Sequence, residues 1–262
     1  MTPAAMAELQ VENVAVRFGG LVALSGVSFS VSKGETVGLV GANGAGKTTA
    51  FNVITGFQRP TAGRIVYRGR SLSRLTPHQI SALGLVRTFQ RTSVFPNQTV
   101  LDNVLIGLHR MARVTVWDVL LSLARARDTE RHMRDRARDL LHFVGIDQRS
   151  GERAGAMSYG EQRLLGVAVA LASNPSMLLL DEPVSGMNRA EKLKFMRLLD
   201  AIRALGIVLL LVEHDMPMVM GICDRVVVLH HGAIIANGPP SAIQRDPAVI
   251  RAYLGTWRTD CA

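Results

Sequence analysis

The amino-acid sequence predicts an α/β protein with a mainly parallel sheet and an inserted helical segment. Short apolar runs of strand length occur at Met177–Leu180, Ile207–Val212 and Arg225–Leu229, and a helical pattern at Arg189–Leu205 separates the first two. Strand, helix, strand connections of this kind form right-handed crossovers, so the spacing favours parallel pairing. From about residue 90 to residue 174 the periodicity is almost entirely helical, which predicts the insertion.

The N-terminal part begins with strands and continues into a helix. Alternating apolar residues predict strands at Leu9–Phe18 and Val27–Val31, and Glu35–Val40 is a third, more buried strand. This third strand runs directly into glycines. A helix from Lys47 through Ile54 follows, and Gly56 is well placed to end it.

The remaining helices are predicted from caps and periodicity. Thr76, Pro77 and Gln79 have the order of an N-cap, a first-turn proline and a capping-box partner, which predicts a short helix to about Leu83. Helices are also predicted to start near Thr99 and Ser158, and a long helical stretch is predicted at Trp117–Phe143. Gly206 is predicted to end a helix, and His231–Gly232 to form a turn. Terminal helices are predicted to begin near Ser241 and Asp246.

The composition indicates a soluble, cytosolic chain. The 262 residues can bury a large core, and apolar runs such as Ile207–Val212 are far shorter than the ~20 residues of a membrane-spanning helix. We expect no secretory signal, because the N-terminal residues have no basic region followed by an apolar stretch. Cys223 and Cys261 form neither a CxxC motif nor a metal-binding spacing, so we expect reduced thiols.

The formal net charge of +9 is also compatible with binding to nucleic acid or to an acidic membrane. Much of the excess is local, in the segment Arg125–Arg138, where arginines alternate with Asp and Glu. We favour a solvated helix face with i to i+4 ion pairs, because no aromatic residues are interleaved to stack on bases. No nucleic-acid partner is therefore expected.

A segment between a predicted strand and a predicted helix fits the phosphate-binding pattern G-x-x-x-x-G-K-[ST]. Its glycines let backbone N–H groups cradle phosphate oxygens, and the helix N-terminus adds its dipole. We expect Lys47 to reach the β- and γ-phosphates and the Thr48 hydroxyl to coordinate Mg²⁺. The predicted nucleotide-binding residues of this loop are Gly41, Asn43, Gly44, Ala45, Gly46, Lys47, Thr48 and Thr49.

Two carboxylates follow the strand predicted at Met177–Leu180. The run MLLLDEP places Asp181 and Glu182 at its carboxyl end, where open parallel sheets bind ligands. Asp181 can hold Mg²⁺ through water, and Glu182 can polarise an attacking water. Taken alone, the two carboxylates could equally be solvated loop residues without a role in binding or catalysis. Together with the phosphate loop it indicates nucleotide hydrolysis.

Three other features have both a structural and a functional interpretation. Ser158 and Glu161 form a capping box that stabilises a helix start, yet a glycine-bearing helix N-terminus is also an anion site. His214 follows a buried strand and Gln90 follows a shorter apolar stretch. Each can be a satisfied structural polar group, but a position at a strand end also makes it available to phosphate and metal.

With the phosphate loop, Gln90, SYGEQ, DEP and His214 in this order, the whole chain resembles the ATP-binding subunit of an ABC transporter. The resemblance implies MgATP as ligand, with Lys47, Gln90, Glu182 and His214 in catalysis. It assigns Phe18 to adenine stacking, Gln90 to metal and water sensing, Ser158, Tyr159, Gly160, Glu161 and Gln162 to the signature sequence, Glu182 to the catalytic base, Ser185–Asn188 to the loop that crosses the dimer interface, and His214 to the switch.

The resemblance also implies a domain organisation. The whole chain, 1–262, would be a single ATP-binding domain of the ABC ATPase fold. Its P-loop NTPase core would comprise residues 8–90 and 175–262, with an N-terminal antiparallel β subdomain. Residues 91–174 would form the inserted α-helical subdomain.

Two departures from the general pattern narrow the resemblance. Tyr159 stands where most members have glycine, and Asn188 stands where many have aspartate. Both are usual in the branched-chain amino acid importer group, and the chain looks most like the larger of that importer's two ATPase subunits. Other segments similar to that group are Phe18–Leu24, Val212–Met216, Ala236–Pro239 and Arg251–Gly255.

The partners implied by this resemblance are transmembrane permease subunits, a second ATP-binding subunit and, indirectly, a periplasmic solute-binding protein. The chain would lie peripherally on the cytoplasmic face of the cell membrane. Three alternatives stay open: the ATPase of a lipopolysaccharide-type exporter, a non-transport ABC ATPase that acts on nucleic acid, and a module that holds ATP without hydrolysing it.

Overall fold

The computed structural model describes residues 7–88, 94–109 and 123–257. Gln90 and Cys261 lie outside these residues. The strands are β1 Ala7–Phe18, β2 Leu21–Ser32, β3 Thr36–Val40, β4 Ala62–Tyr67, β5 Arg70–Ser71, β6 Leu85–Arg87, β7 Met177–Asp181, β8 Val208–Val212, β9 Arg225–His230 and β10 Ala233–Gly238. The helices are α1 Lys47–Ile54, α2 Pro77–Ala82, α3 Val100–His109, α4 Leu123–Val144, α5 Tyr159–Ala172, α6 Arg189–Ala204, α7 Met216–Ile222, α8 Pro240–Ile243 and α9 Pro247–Trp257.

Two sheets organise the first compact unit, which consists of Met1–Arg87, Ser176–Pro183 and Leu199–Ala262. One sheet is antiparallel, with the strand order β2-β1-β4-β5. The other has the order β10-β9-β3-β8-β7-β6, in which β10 is antiparallel and the other pairs are parallel. Strands β3, β7 and β8 are buried at every residue, as expected of parallel strands covered on both faces.

One hydrophobic core connects both sheets of this unit with helix α1. Leu9 and Phe29 from the antiparallel sheet, Leu39 and Leu210 from the parallel sheet, and Phe51 from α1 are buried in a single cluster. The burial of this apolar surface holds α1 against the sheet, although α1 has only 8 residues and would be marginal as an isolated helix. The start of α1 is thereby fixed beside the parallel sheet.

The second compact unit is helical and consists of Thr88–Pro175 and Val184–Leu198. Within it α3, α4 and α5 contact one another. Their apolar faces bury residues such as Val104, Leu141 and Leu165, so each helix is covered by the other two. Across the part of the chain that the structure describes, no helix has the length and apolarity needed to cross a membrane.

The predicted α/β class with a mainly parallel sheet is confirmed, as are most of its elements. The predicted strand Val27–Val31 was too short, because β2 begins at Leu21. Strands β4, β5 and β10 were not predicted; β5 has only 2 residues, too few to show any periodicity. The first part of the predicted helical stretch Trp117–Phe143 lies outside the described residues, and the rest is in α4.

Candidate active site

Apart from Phe18, which ends β1 of the antiparallel sheet, the predicted site residues of the first unit lie where parallel strands end at one edge of the other sheet. Strand β8 pairs on one side with β3, where Leu39 is opposite Val212. On its other side it pairs with β7, where Asp181 is opposite the same Val212. The residues that follow β3, β7 and β8 therefore emerge side by side. This register brings together the phosphate loop, Glu182 and His214.

The backbone of the phosphate loop is shaped by glycines that no other residue could replace without strain. A side chain at Gly41 would place its Cβ only 2.4 Å from the carbonyl oxygen of Leu229. Gly46 has φ of 104°, and its Cβ would lie 2.7 Å from the carbonyl oxygen of Ala23. Gly44 also has a positive φ, 79°, but it faces open space, where a phosphate can approach the backbone closely.

The N-terminus of α1 is suited to an anion. Its N-cap, Gly46, provides no side-chain hydrogen bond, and the first turn contains no acidic residue. Among the residues that the structure describes, no side chain accepts a hydrogen bond from the backbone N–H groups of that turn, and the helix dipole favours negative charge there. Thr48 is exposed in the same turn, so its hydroxyl is accessible to a bound ion or phosphate.

Lys47 is held over the loop by backbone carbonyls. Its Nζ donates hydrogen bonds to the carbonyl oxygens of Gly41 at 2.7 Å and Ala42 at 3.0 Å. Burial lowers the pKa of Lys47, and the negative charges of Glu182 and Asp181 partly oppose that shift. The site thus holds a lysine beside two carboxylates, with its ammonium group directed at the interior of the phosphate loop.

Asp181 is paired with an arginine that was not among the predicted site residues. The guanidinium of Arg87, the last residue of β6, donates to Asp181 Oδ2 at 2.6 Å and to Asn52 Oδ1 at 2.7 Å. The pair is buried, with 8% of the Arg87 side chain and 2% of the Asp181 side chain exposed. In the sequence, the only indication of this role is that Arg87 ends a short apolar run. Its partner Asp181 is determined by the pairing of β6 with β7.

Glu182 adopts an unusual backbone conformation. Its φ is 46°, in the left-handed region that non-glycine residues rarely occupy and that often marks a functional residue. Its N–H donates to the carbonyl oxygen of Val212 at 2.8 Å, which fixes this conformation against β8. The carboxylate is partly exposed, and its Oε1 lies 4.0 Å from Nδ1 of His214. Glu182 and His214 thus face each other across adjacent strand ends.

Glu213, next to the predicted switch histidine, is a second residue that sequence reasoning missed. Its side chain is completely buried, and its Oε2 accepts the N–H groups of His214 at 3.1 Å and Asp215 at 3.4 Å. Asp215 in turn accepts the Met218 N–H at 3.0 Å and caps α7. These bonds fix the turn that carries His214, whose side chain remains exposed.

Phe18, the predicted adenine-stacking residue, ends β1 at the turn to β2. Its ring is 48% exposed, which leaves a face free for stacking. Asn43 is exposed in the phosphate loop, and Thr49 is partly buried in the first turn of α1. Gln90, the remaining predicted residue, lies outside the described residues.

The predicted signature sequence begins helix α5 in the second unit. The capping box is present: Ser158 N–H donates to Glu161 Oε2 at 2.9 Å, and Glu161 N–H donates to Ser158 Oγ at 3.3 Å. Burial raises the pKa of Glu161, but the bonds from Ser158 and the charges of Arg149 and Lys194 outweigh it and lower the pKa. Gln162 donates to the Met157 carbonyl oxygen at 3.1 Å. The cap alone accounts for the stability of this helix start, so anion binding here stays a prediction.

The chain is similar to known proteins in sequence and in structure. The family model described as ABC transporter matches residues 24–185, and the one described as Branched-chain amino acid ATP-binding cassette transporter matches residues 233–256. The high-affinity branched-chain amino acid transport ATP-binding protein LivG of Salmonella typhimurium is 41% identical over 248 residues, covering 94% of this chain and 97% of that protein. The corresponding protein BraF of Pseudomonas aeruginosa is 39% identical with the same coverage. A solved structure of an ATP-binding cassette in its ADP conformation has a TM-score of 0.83 at 31% identity, covering 95% of this chain and 99% of that chain.

The parallel sheet and the loop that enters α1 define a P-loop nucleotide-binding protein. The match of the ABC transporter family model, and the 41% identity to LivG over 94% of this chain, then narrow the class. The chain belongs to the ABC transporter family, as an ATP-binding subunit that hydrolyses ATP.

Proposed function

We propose that this chain energises the import of branched-chain amino acids or related small polar solutes through a separate permease. The observation that carries the proposal is 41% identity, over nearly the whole chain, to an ATP-binding protein of high-affinity branched-chain amino acid transport. The match at residues 233–256 supports the same solute class, because it lies outside the general match at 24–185.

The residues proposed to bind ATP are those of the phosphate loop and the exposed ring at the end of β1. Phe18 stacks on adenine, and the N–H groups from Gly41 to Thr49 bind the phosphates. Lys47, already held over the loop, exchanges its bonds to backbone carbonyls for bonds to phosphate oxygens. Mg²⁺, which would neutralise phosphate charge, suits the hard oxygen donors of Thr48, Asp181 and Gln90.

Hydrolysis is proposed to depend on Glu182 as general base for the attacking water. Its carboxylate is partly exposed, so water can reach it, and its backbone is fixed by the bond to Val212. His214, 4.0 Å from that carboxylate, is placed to contact the γ-phosphate, and Gln90 orients water and metal. Arg87 keeps Asp181 in a single position through their buried ion pair.

The assembly we propose is a dimer of ATP-binding subunits on the cytoplasmic face of the cell membrane. ATP bound to the phosphate loop of one subunit contacts the signature residues Ser158–Gln162 of the other. A helical insert at 91–174 in a single domain receives the permease, and a periplasmic solute-binding protein acts indirectly. ATP binding closes the dimer and hydrolysis reopens it, which biases the permease between two states.

A transport assay with a matched inactive variant tests this function. The tagged chain is purified from its native membranes with the proteins that accompany it, reconstituted into proteoliposomes, and supplied with the periplasmic solute-binding protein, MgATP and radiolabelled leucine. Leucine uptake is expected with the wild type and absent with Lys47→Ala, because the lysine charge that meets the phosphoryl group is lost. ATP hydrolysis without uptake of any branched-chain amino acid would contradict the solute class while leaving the ATPase assignment intact.

A further inference from the structure

Helix α5, here called the signature helix, packs against the loop that precedes α6 at two glycines, Gly160 and Gly186. At Gly186, a Cβ would lie 3.2 Å from Cδ1 of Tyr159, so the tyrosine ring covers this glycine. At Gly160, a Cβ would lie 3.1 Å from Oε1 of Glu191, in the first turn of α6. Each element thus contributes one glycine and one side chain to the contact. A Cβ at either glycine would be closer than ordinary van der Waals contact, so the neighbouring side chain would have to shift by a few tenths of an ångström.

Tyr159 is itself held in place by an arginine one turn further along α5. The Arg163 guanidinium lies over the Tyr159 ring, 4.8 Å from its centroid, and also donates a hydrogen bond to the Tyr159 hydroxyl. Arg163 is buried, with 8% of its surface exposed. A planar guanidinium that both stacks and donates fixes the orientation of an aromatic ring more firmly than a hydrogen bond alone.

The loop on the other side of the contact is also fixed. Asn188 N–H donates to Glu191 Oε2 at 2.8 Å, and Glu191 N–H donates to Asn188 Oδ1 at 3.0 Å, a reciprocal cap at the start of α6. Gly186 has φ of 77°, a conformation that favours glycine. The same carboxylate of Glu191 therefore caps α6 and meets Gly160 of the signature helix.

We propose that Tyr159 is a positioning residue, which together with Arg163 fixes the loop Ser185–Asn188 against the start of the signature helix so that the two move as one. This proposal rests on the proposed function, in which the signature residues face the partner subunit, and on the family resemblance, which assigns the loop Ser185–Asn188 to the same dimer interface. Glycine, which is general at this position, could not cover Gly186, whereas the tyrosine ring lies against it. Coupled in this way, a change at the loop is transmitted to the signature residues.

The first test is a series of variants at Tyr159, read in ATP hydrolysis and nucleotide binding. Tyr159→Phe keeps the ring over Gly186 and beneath Arg163, so its kcat should be closer to the wild type than that of Tyr159→Gly. Tyr159→Gly, the general residue, should lower kcat by about fivefold, the factor that the loss of one cation–aromatic contact corresponds to. The affinity of the isolated chain for ATP should stay unchanged in both variants, because the phosphate loop is untouched. Arg163→Met should reproduce the loss caused by Tyr159→Gly.

The second test is a double-mutant cycle between Tyr159→Gly and Gly186→Ala. Gly186→Ala adds a methyl group against the ring and also strains a positive φ. The backbone strain is the same in both backgrounds, so only the contact with the ring differs between them. We expect the effect of Gly186→Ala on kcat to be about threefold smaller when Tyr159 is already glycine.

The results separate this proposal from the function on which it rests. Wild-type kcat in Tyr159→Gly, or effects of the two substitutions that simply multiply, would overturn the positioning role. Failure of the wild type to take up leucine in the reconstituted assay would contradict the proposed function instead, and it leaves the comparison of kcat among the variants intact. If Gly186→Ala fails to fold, the Tyr159→Phe, Tyr159→Gly and Arg163→Met variants decide the question alone, since a general structural defect would not lower kcat in the last two while leaving their ATP affinity unchanged.

Discussion

The buried ion pair between Arg87 and Asp181 predicts a large loss of stability when its arginine is replaced. Its atoms are 2.6 Å apart, and the two side chains are 8% and 2% exposed. Arg87→Met leaves the Asp181 carboxylate buried without its cation, which costs about 3–5 kcal/mol. For a chain of this size that corresponds to a fall in Tm of about 6–20 °C.

An exposed ion pair of the same length provides the matched control. Arg64 and Glu12 are also 2.6 Å apart, but their side chains are 67% and 37% exposed. Arg64→Met should therefore cost at most about 1 kcal/mol. Both variants are compared with the wild type by urea unfolding followed by circular dichroism, without nucleotide.

A second variant separates the loss of the charge pair from the loss of arginine packing. In Arg87→Met combined with Asp181→Asn, no unpaired charge remains buried, so the double variant should be more stable than Arg87→Met alone. If the free energy of unfolding of Arg87→Met lies within about 0.5 kcal/mol of the wild type, the range of ordinary surface substitutions, Asp181 does not depend on its arginine as argued.

Three further predictions concern the phosphate loop, the acid stability and the basic helix. Lys47→Ala should abolish ATP binding or hydrolysis in a phosphate-release assay, and wild-type turnover would contradict the assignment of the loop. Burial raises the pKa of Glu35, but the bonds from Arg225 and the Ser32 N–H and the charge of Arg225 outweigh it and lower the pKa below 4.5. A carboxylate whose pKa is lower in the folded state stabilises the fold at pH above its unfolded-state pKa, and this stabilisation is lost as pH falls through its folded-state pKa. The wild type should therefore lose its stability advantage over Glu35→Gln in acid. Parallel pH profiles of the urea midpoint for the two proteins would contradict this. The purified protein should bind duplex DNA only weakly at physiological salt, because exposed pairs such as Arg134 with Glu130 at 2.9 Å offset part of the positive charge of α4. Sub-micromolar binding with a steep salt slope would revive the nucleic-acid interpretation.

The sequence alone was sufficient for features set by local spacing. The helix at α1 follows from the phosphate-loop pattern and Gly56, and the start of α5 follows from the capping box of Ser158 and Glu161. The apolar runs that became β7 and β8 placed Asp181, Glu182 and the residues after Val212 at strand ends. Because parallel strands end at a common edge, the strand pattern by itself predicts that these residues lie close together.

Features set by contacts between distant segments could not be predicted. The partner of Asp181 is Arg87, 94 positions earlier, and only the pairing of β6 with β7 brings the two together. The close approach of Tyr159 to Gly186 depends on the packing of α5 against the loop before α6. The left-handed backbone at Glu182 has no signature in the sequence, since glutamate rarely adopts it.

The most direct test of the account is hydrolysis by Glu182→Gln. Glutamine keeps the shape of the side chain but cannot take a proton from water, and the phosphate loop, Lys47 and Thr48 are unchanged. ATP should still bind, and the variant should accumulate as an ATP-bound dimer on size-exclusion chromatography with MgATP, with its partner subunit present if one is needed. Phosphate release measured on the same sample should fall by at least about 100-fold. Hydrolysis at the wild-type rate would remove Glu182 from the catalytic role and contradict the central claim.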